Sequence, residues 1–374
     1  MNGSIRIGNL LGIPFYVHPS WFLVLGLMTF SYGGYLTELF PGLAGGLPWL
    51  LGFVAALLLF ASVLAHELGH SFVAIWQGIE VKSISLFLFG GLASLEKESK
   101  TPAEAFWVAI AGPAVSIVIF ALLTAIGVAT GISGPLATML AMVAYINLML
   151  ALFNLIPGLP LDGGNILKSV VWKITGNPYK GVVFASRVGQ FLGWTGIGVG
   201  ILGSLGVINF GSFWTLLIGW FLLRNAGYSA QSATIQDKLM GLTAEDAVVP
   251  NSPIVSADLS LREFANQYII GKSQWQKFLV TNEDAQLLGT IKVDDMRGVA
   301  TSDWPTTQVR ELMQAVDSVT TVQPDQSLLD VVTLLEQEKL TQLPVVRDNG
   351  VLVGLLEKAA IIQLLEKRAQ AKLA

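Results

Sequence analysis

Cysteine is absent from the chain. Disulfide frameworks and thiolate metal sites are thereby excluded. Histidine is nearly absent, with three in 374 residues, so imidazole chemistry is confined to His18, His66 and His70. Charged residues make up only 13%, about half the usual soluble share. The scarcity is uneven. Residues 1–228 hold 9 Lys/Arg and 7 Asp/Glu, whereas residues 229–374 hold 13 and 19. The first region reads as membrane-embedded, the second as an acidic soluble module. The formal net charge of −4 offers no basic field, so nucleic acid is not expected as a partner. The N-terminus lacks a small-residue cleavage site after a short apolar core, so no removed signal peptide is expected.

Apolar runs are plentiful, since hydrophobic residues make up 53%. A spanning helix needs about 20 mostly apolar residues. Six segments approach this: 15–32, 50–77, 104–130, 136–156, 183–208 and 211–227. The alternate loops 33–48, 131–135 and 209–210 contain no Lys or Arg. All nine cations of the first region therefore fall on one side, which the positive-inside rule makes cytoplasmic. Both termini and the acidic module are expected on that side. The lipid bilayer is thus the surrounding solvent for residues 1–228.

The second run contains HELGH, residues 66–70. On a helix, residues four apart share a face, so His66 and His70 can take two corners of a tetrahedral Zn2+. Glu67 can then hold a water and take its proton as general base. A pair of hydrogen-bonded core histidines is the plain alternative, but ionisable groups inside a span are costly and mark function. A third ligand is needed. His18 beside Pro19 reads as an interfacial or capping histidine, and Glu80 lies too far along the same segment. Asp162 in NLIPGLPLDGG is the better candidate, because Pro157 and Pro160 break the fourth span at the depth of the histidines. Its alternative is to cap the following helix. Asn147 and Asn154 on the fourth span are candidates for holding a substrate carbonyl or oxyanion, or for packing between helices.

HELGH on the second span, Ala111–Gly112–Pro113 on the third and NLIPGLPLDGG on the fourth together resemble the site-2 protease family of intramembrane zinc metalloproteases. The resemblance implies His66, His70 and Asp162 as ligands of one catalytic Zn2+ per chain, and Glu67 as the base. It also implies substrates that are transmembrane or membrane-anchored proteins, cut near the cytoplasmic interface. Ser116 stands where many members carry asparagine, which puts a substrate-holding role there in doubt. The segment Gly78–Glu98 reads as a hairpin around Gly90–Gly91. In the family such a segment offers a strand edge to unwound substrate, while a simple connector is the alternative. Gly189/Gly193 and Gly196/Gly200 have small-xxx-small spacing for close helix packing, with a flexible gate as the weaker reading.

The acidic region repeats itself. Asp258, Ser260, Leu261 and Gly289 align with Asp325, Ser327, Leu328 and Gly354. Each unit reads strand, helix, strand, turn, strand, helix, and the pair resembles tandem cystathionine β-synthase (CBS) domains. That resemblance implies adenine nucleotide in the cleft, with Asp295 of GTIKVDD on the ribose. The second copy ends in Ala360 instead, so one half-site looks lost. Dimerisation through the pair is the other reading.

The expected fold is therefore an α-helical polytopic membrane protein, with about six transmembrane helices and a small membrane-associated β-hairpin, plus a cytoplasmic α/β CBS-domain pair. The expected divisions are a protease domain at 1–228, a linker at 229–242, and CBS domains at 243–300 and 308–372. The expected function is an intramembrane zinc endopeptidase with a regulatory or dimerising tail. A CBS-regulated transporter or channel is the rival from another class. A bacterial plasma membrane is the expected location, or a photosynthetic or plastid one.

Overall fold

The computed structural model describes residues 3–10, 12–43, 45–87, 90–271, 275–315 and 320–371. It divides into two units, Met1–Thr234 and Ile235–Ala374.

The first unit opens with strands β1 (Ile5–Leu10) and β2 (Ile13–Val17), followed by helices α1 (Ser20–Leu39) and α2 (Leu47–Trp76). Strands β3 (Val81–Phe87) and β4 (Gly90–Leu95) follow. The four strands form one sheet in the order β1-β2-β3-β4, with β2 parallel to β3 and the other pairs antiparallel. Ile13, Ile79, Val81 and Ile84 bury their side chains with Ala74, against Leu64 and Leu68 of α2. The sheet therefore rests on the C-terminal half of α2. Two expectations are corrected. The first apolar run is not one helix, because residues 13–17 are strand and α1 begins at Ser20. Gly90 and Gly91 are not the hairpin turn, because they pair with Phe87 and Leu86 inside β4. The connection at residues 88–89 lies outside the described residues.

Helices α3 (Pro102–Thr130), α4 (Pro135–Asn154), α5 (Asp162–Thr175) and α6 (Pro178–Ser204) follow, and α7 (Phe213–Leu239) begins in this unit and ends in the second. Sequence sets their ends. Thr101 and Glu104 form a reciprocal capping box at the start of α3, and Asn177 Oδ1 accepts from the Tyr179 and Lys180 amides at the start of α6. Such caps satisfy amides that the helix leaves unbonded. Among the described residues, α2, α3 and α4 are long and apolar enough to cross a membrane. The other three long helices are more polar: α1 ends in Tyr35, Thr37 and Glu38, α6 carries Lys180 and Arg187, and the second half of α7 is polar. The glycines of α6 meet α7 closely. A Cβ at Gly193 or Gly200 would strike the backbone of Leu223 or Leu216, as expected for small-residue packing. The segment read as a linker is helical up to Leu239, since nothing from Ser229 to Leu239 breaks a helix.

In the second unit, β5 (Ile254–Ser256), β6 (Lys277–Thr281), β7 (Leu287–Lys292) and β8 (Gln314–Ala315) form one sheet in that order. Helices α8 (Leu261–Phe264) and α9 (Val309–Leu312) accompany it. Helix α10 (Leu328–Gln337), antiparallel strands β9 (Gln342–Val346) and β10 (Leu352–Glu357), and α11 (Lys358–Ala371) form the second half. The repeat is visible residue by residue. Ser260 and Ser327 are the N-caps of α8 and α10, and Leu261 and Leu328 are fully buried first helical residues. Leu239, Leu242, Ala244 and Ala247 pack into the core of the second half, while Val309 packs into that of the first. The two cores thus exchange their lead-in segments. The helix expected after the third strand of the first half is a 3-10 turn, Val293–Gly298.

Candidate metal centre

Helix α2 presents His66, Glu67 and His70 in its C-terminal half, and His66 is only 3% exposed. The acid comes from beyond the break after α4. Backbone from Leu155 to Leu161 folds against the first turn of α5. A Cβ at Gly163 would strike the Leu155 and Ile156 carbonyls, and one at Gly164 the Gly158 backbone. The Leu159 amide also donates to the Ala185 carbonyl of α6. The two glycines of LDGG thereby admit the loop. Asp162 is the first residue of α5 and Leu161 the N-cap, so Asp162 does not cap the helix.

Its carboxylate faces the histidines. Oδ2 lies 3.0 Å from His66 Nε2 and Oδ1 lies 3.3 Å from His70 Nε2. One ligand atom from each residue falls within 4.8 Å of the others. Ligands of a tetrahedral zinc, with bonds of about 2.0–2.2 Å, stand about 3.3–3.5 Å apart, so the donor set fits such an ion.

Helix α3 backs the histidines along one face. Val108, Gly112 and Ser116 are spaced by four residues, about 6 Å of rise each. His70 Nδ1 donates to the Val108 carbonyl at 2.7 Å, and His66 Nδ1 lies 2.9 Å from Ser116 Oγ. A Cβ at Gly112 would strike Nε2 of both rings, so the rings can lie here only against glycine. A carbonyl only accepts, so His70 carries its proton on Nδ1. Neutral His70 then turns a lone pair toward the Asp162 carboxylate. Two acceptors facing each other require a cation or a proton between them, and His70 Nδ1 has the backbone-carbonyl partner that metal-binding histidines use.

Glu67 sits beside this cluster under β4. A Cβ at Gly91 would strike its side chain. His66, Glu67, His70, Asp162 and Asn154 line one cavity of about 340 Å³. Lys168 and Glu98 line it too, with Nζ and Oε2 3.2 Å apart. Nothing in the sequence pairs Lys168 with Glu98, and Gly112 and Gly91 stand out there as a motif residue and a turn residue, not as gaps beside the site. Ser116 stands out there only for lacking an amide. The spacing of Ser116 from Gly112, one helical turn, was the available signal.

The remaining candidates lie elsewhere. Asn147 is fully buried, and its amide donates to Ser62 Oγ and the Val143 carbonyl, both at 2.9 Å. It ties α4 to α2. His18 Nδ1 lies 2.8 Å from Ser20 Oγ at the start of α1. Asp295 accepts from the Lys292 amide at 2.9 Å and so caps the 3-10 turn. A cleft lined by Lys277, Thr290, Gln314 and Gln342 holds about 130 Å³. Burial, and then Lys292, lower the pKa of Lys277 there.

Apolar helices with a two-histidine, one-acid cluster and a neighbouring glutamate define a membrane-helix protein with a candidate metal centre. Residues 54–133 and 129–195 match the model of peptidase family M50, and residues 309–367 that of the CBS domain. A candidate zinc metalloprotease of Synechocystis sp., sll0528, is 60% identical over 99% of this chain and 97% of its own. Rip3 of Mycobacterium tuberculosis, also a candidate zinc metalloprotease, is 30% identical over 98% and 94%. The solved site-2 protease of Methanocaldococcus jannaschii is 30% identical and covers 61% of this chain and 95% of its own, with a TM-score of 0.43. The chain belongs to peptidase family M50, the site-2 protease family, and carries a C-terminal CBS domain.

Proposed function

We propose that the protein is an intramembrane zinc endopeptidase that cuts transmembrane or membrane-anchored proteins near the cytoplasmic interface. The observation that carries this reading is the convergence of His66, His70 and Asp162 beside Glu67 in one cavity. His66, His70 and Asp162 would hold the ion. Zinc, when bound, supplies a Lewis acid that polarises the scissile carbonyl and acidifies water. Glu67 accepts a proton from the attacking water and returns it to the leaving amine. Asn154, on the cavity wall, donates to the substrate carbonyl. Strand β4, at the edge of its sheet, pairs with substrate backbone freed by unwinding. In this reading α1, α6 and α7 also cross the bilayer, making six spans, with both termini cytoplasmic. The CBS pair regulates or dimerises the enzyme. A CBS-gated transporter is not favoured, because transport gives no task to the metal cluster and its glutamate. Glu67→Gln is expected to abolish cleavage of a membrane-reconstituted substrate while zinc content stays at the wild-type value. Undiminished cleavage by this variant refutes the assigned base.

A further inference from the structure

Ser116 is fully buried on α3, and the proposed chemistry gives it no task. Several hydroxyls on this helix and its neighbours turn to their own backbone. Ser62 and Ser71 on α2 donate to the Leu58 and Glu67 carbonyls, Thr130 on α3 to Ile126, and Thr138 on α4 to Gly134. That local bond is the ready way to satisfy a helical hydroxyl in apolar surroundings. Ser116 makes no such bond among the described residues. Its Oγ reaches across to α2 and meets His66 Nδ1 at 2.9 Å.

The partners of the two imidazoles differ in kind. Val108 offers His70 a carbonyl, which only accepts. Ser116 offers His66 a hydroxyl, which both accepts and donates. When His66 Nε2 turns its lone pair to a cation, Nδ1–H donates to Ser116 Oγ. When Nε2–H donates to Asp162, at 3.0 Å, the Ser116 hydroxyl donates to Nδ1. The same side chain satisfies the buried ring in either state, without moving. A longer amide in this place would start from the same Cα and would not fit the 2.9 Å approach unchanged.

We propose that Ser116 is a positioning residue of the metal centre. Its hydroxyl fixes the ring plane of His66 and keeps Nε2 aimed at the ion. The proposal rests on the reading of His66, His70 and Asp162 as metal ligands. It predicts that loss of the hydroxyl loosens the ion without removing a ligand.

The test uses the full-length protein in detergent, with zinc affinity measured by chelator competition and the visible spectrum of the cobalt-loaded protein as second readout. Ser116→Ala is expected to bind zinc about 10- to 100-fold more weakly and to shift the cobalt bands. Ser116→Thr and Ser116→Val are matched in volume and differ in the hydroxyl. Thr is expected to bring affinity and spectrum back toward wild type, and Val is not. This pair decides the matter should the alanine variant fail to fold. Wild-type affinity and spectrum in Ser116→Ala, or equal values for Thr and Val, overturn the proposal. Asp162→Ala serves as the separate control. If it loses its metal while Ser116→Ala is unchanged, the positioning role alone fails. If it keeps wild-type metal, the ligand reading fails.

Discussion

Gly112 has no side chain, and the space a Cβ would fill belongs to the Nε2 atoms of His66 and His70. Gly112→Ala is therefore expected to leave α3 helical, since alanine favours helix over glycine, and to push the rings out of register. Metal affinity should fall by about tenfold or more, measured by chelator competition, with circular dichroism unchanged. Full affinity would mean that the rings have room elsewhere. At this scale the sequence was legible where chemistry marks a residue. His66, Glu67, His70 and Asp162 stand out because hydrocarbon penalises them, and all four line one cavity. The part played by the supports was not legible. Val108 acts through its carbonyl, which every residue has. Gly112 and Gly91 act by lacking a side chain. Lys168 and Glu98 meet across 70 positions, beyond any local pattern.

Among the elements, α2, α3 and α4 were readable as long apolar runs, and their ends fall within a few residues of the runs. The N-terminal hairpin was not readable, because the apolar residues of β2 run straight into α1. A short apolar stretch looks alike as strand or helix until its partner is known. Its hairpin partner β1 is adjacent, but its other partner, β3, lies more than sixty residues on. The glycine face of α6 was read from spacing, and its contact with α7 makes a quantitative prediction. Gly200→Leu places a branched side chain against Leu216 backbone. Overpacking of this kind costs about 1–3 kcal/mol, so the thermal midpoint in detergent should fall while zinc stoichiometry holds. An unchanged midpoint would show that α6 and α7 separate readily. The break between α4 and α5 was read from its prolines. Its nesting against Gly189 of α6, where a Cβ would meet the Leu159 carbonyl, depends on tertiary contact alone.

For the whole molecule, the charge split separated a membrane region from an acidic one, and paired residues such as Leu261 and Leu328 exposed the repeat. The exchange of lead-in segments between the two repeat cores was not visible, because a repeat alignment pairs like with like and says nothing of which copy a flanking segment joins. Orientation rests on the distribution of Lys and Arg. Because the chain has no cysteine, single engineered cysteines report it cleanly. Ser133→Cys, in the loop between α3 and α4, is expected to react with a membrane-impermeant maleimide in intact cells. Lys97→Cys and Glu283→Cys are expected to react only after the membrane is opened. The opposite pattern would invert the topology and move the cavity to the other face.

The central claim is that two imidazoles of α2 and the acid at the head of α5 grip one zinc ion. Elemental analysis of the purified full-length protein beside His66→Ala and Asp162→Ala tests it most directly. One zinc per chain is expected in the wild type, and loss of stoichiometric zinc in both variants. Undiminished zinc in the two variants would contradict it.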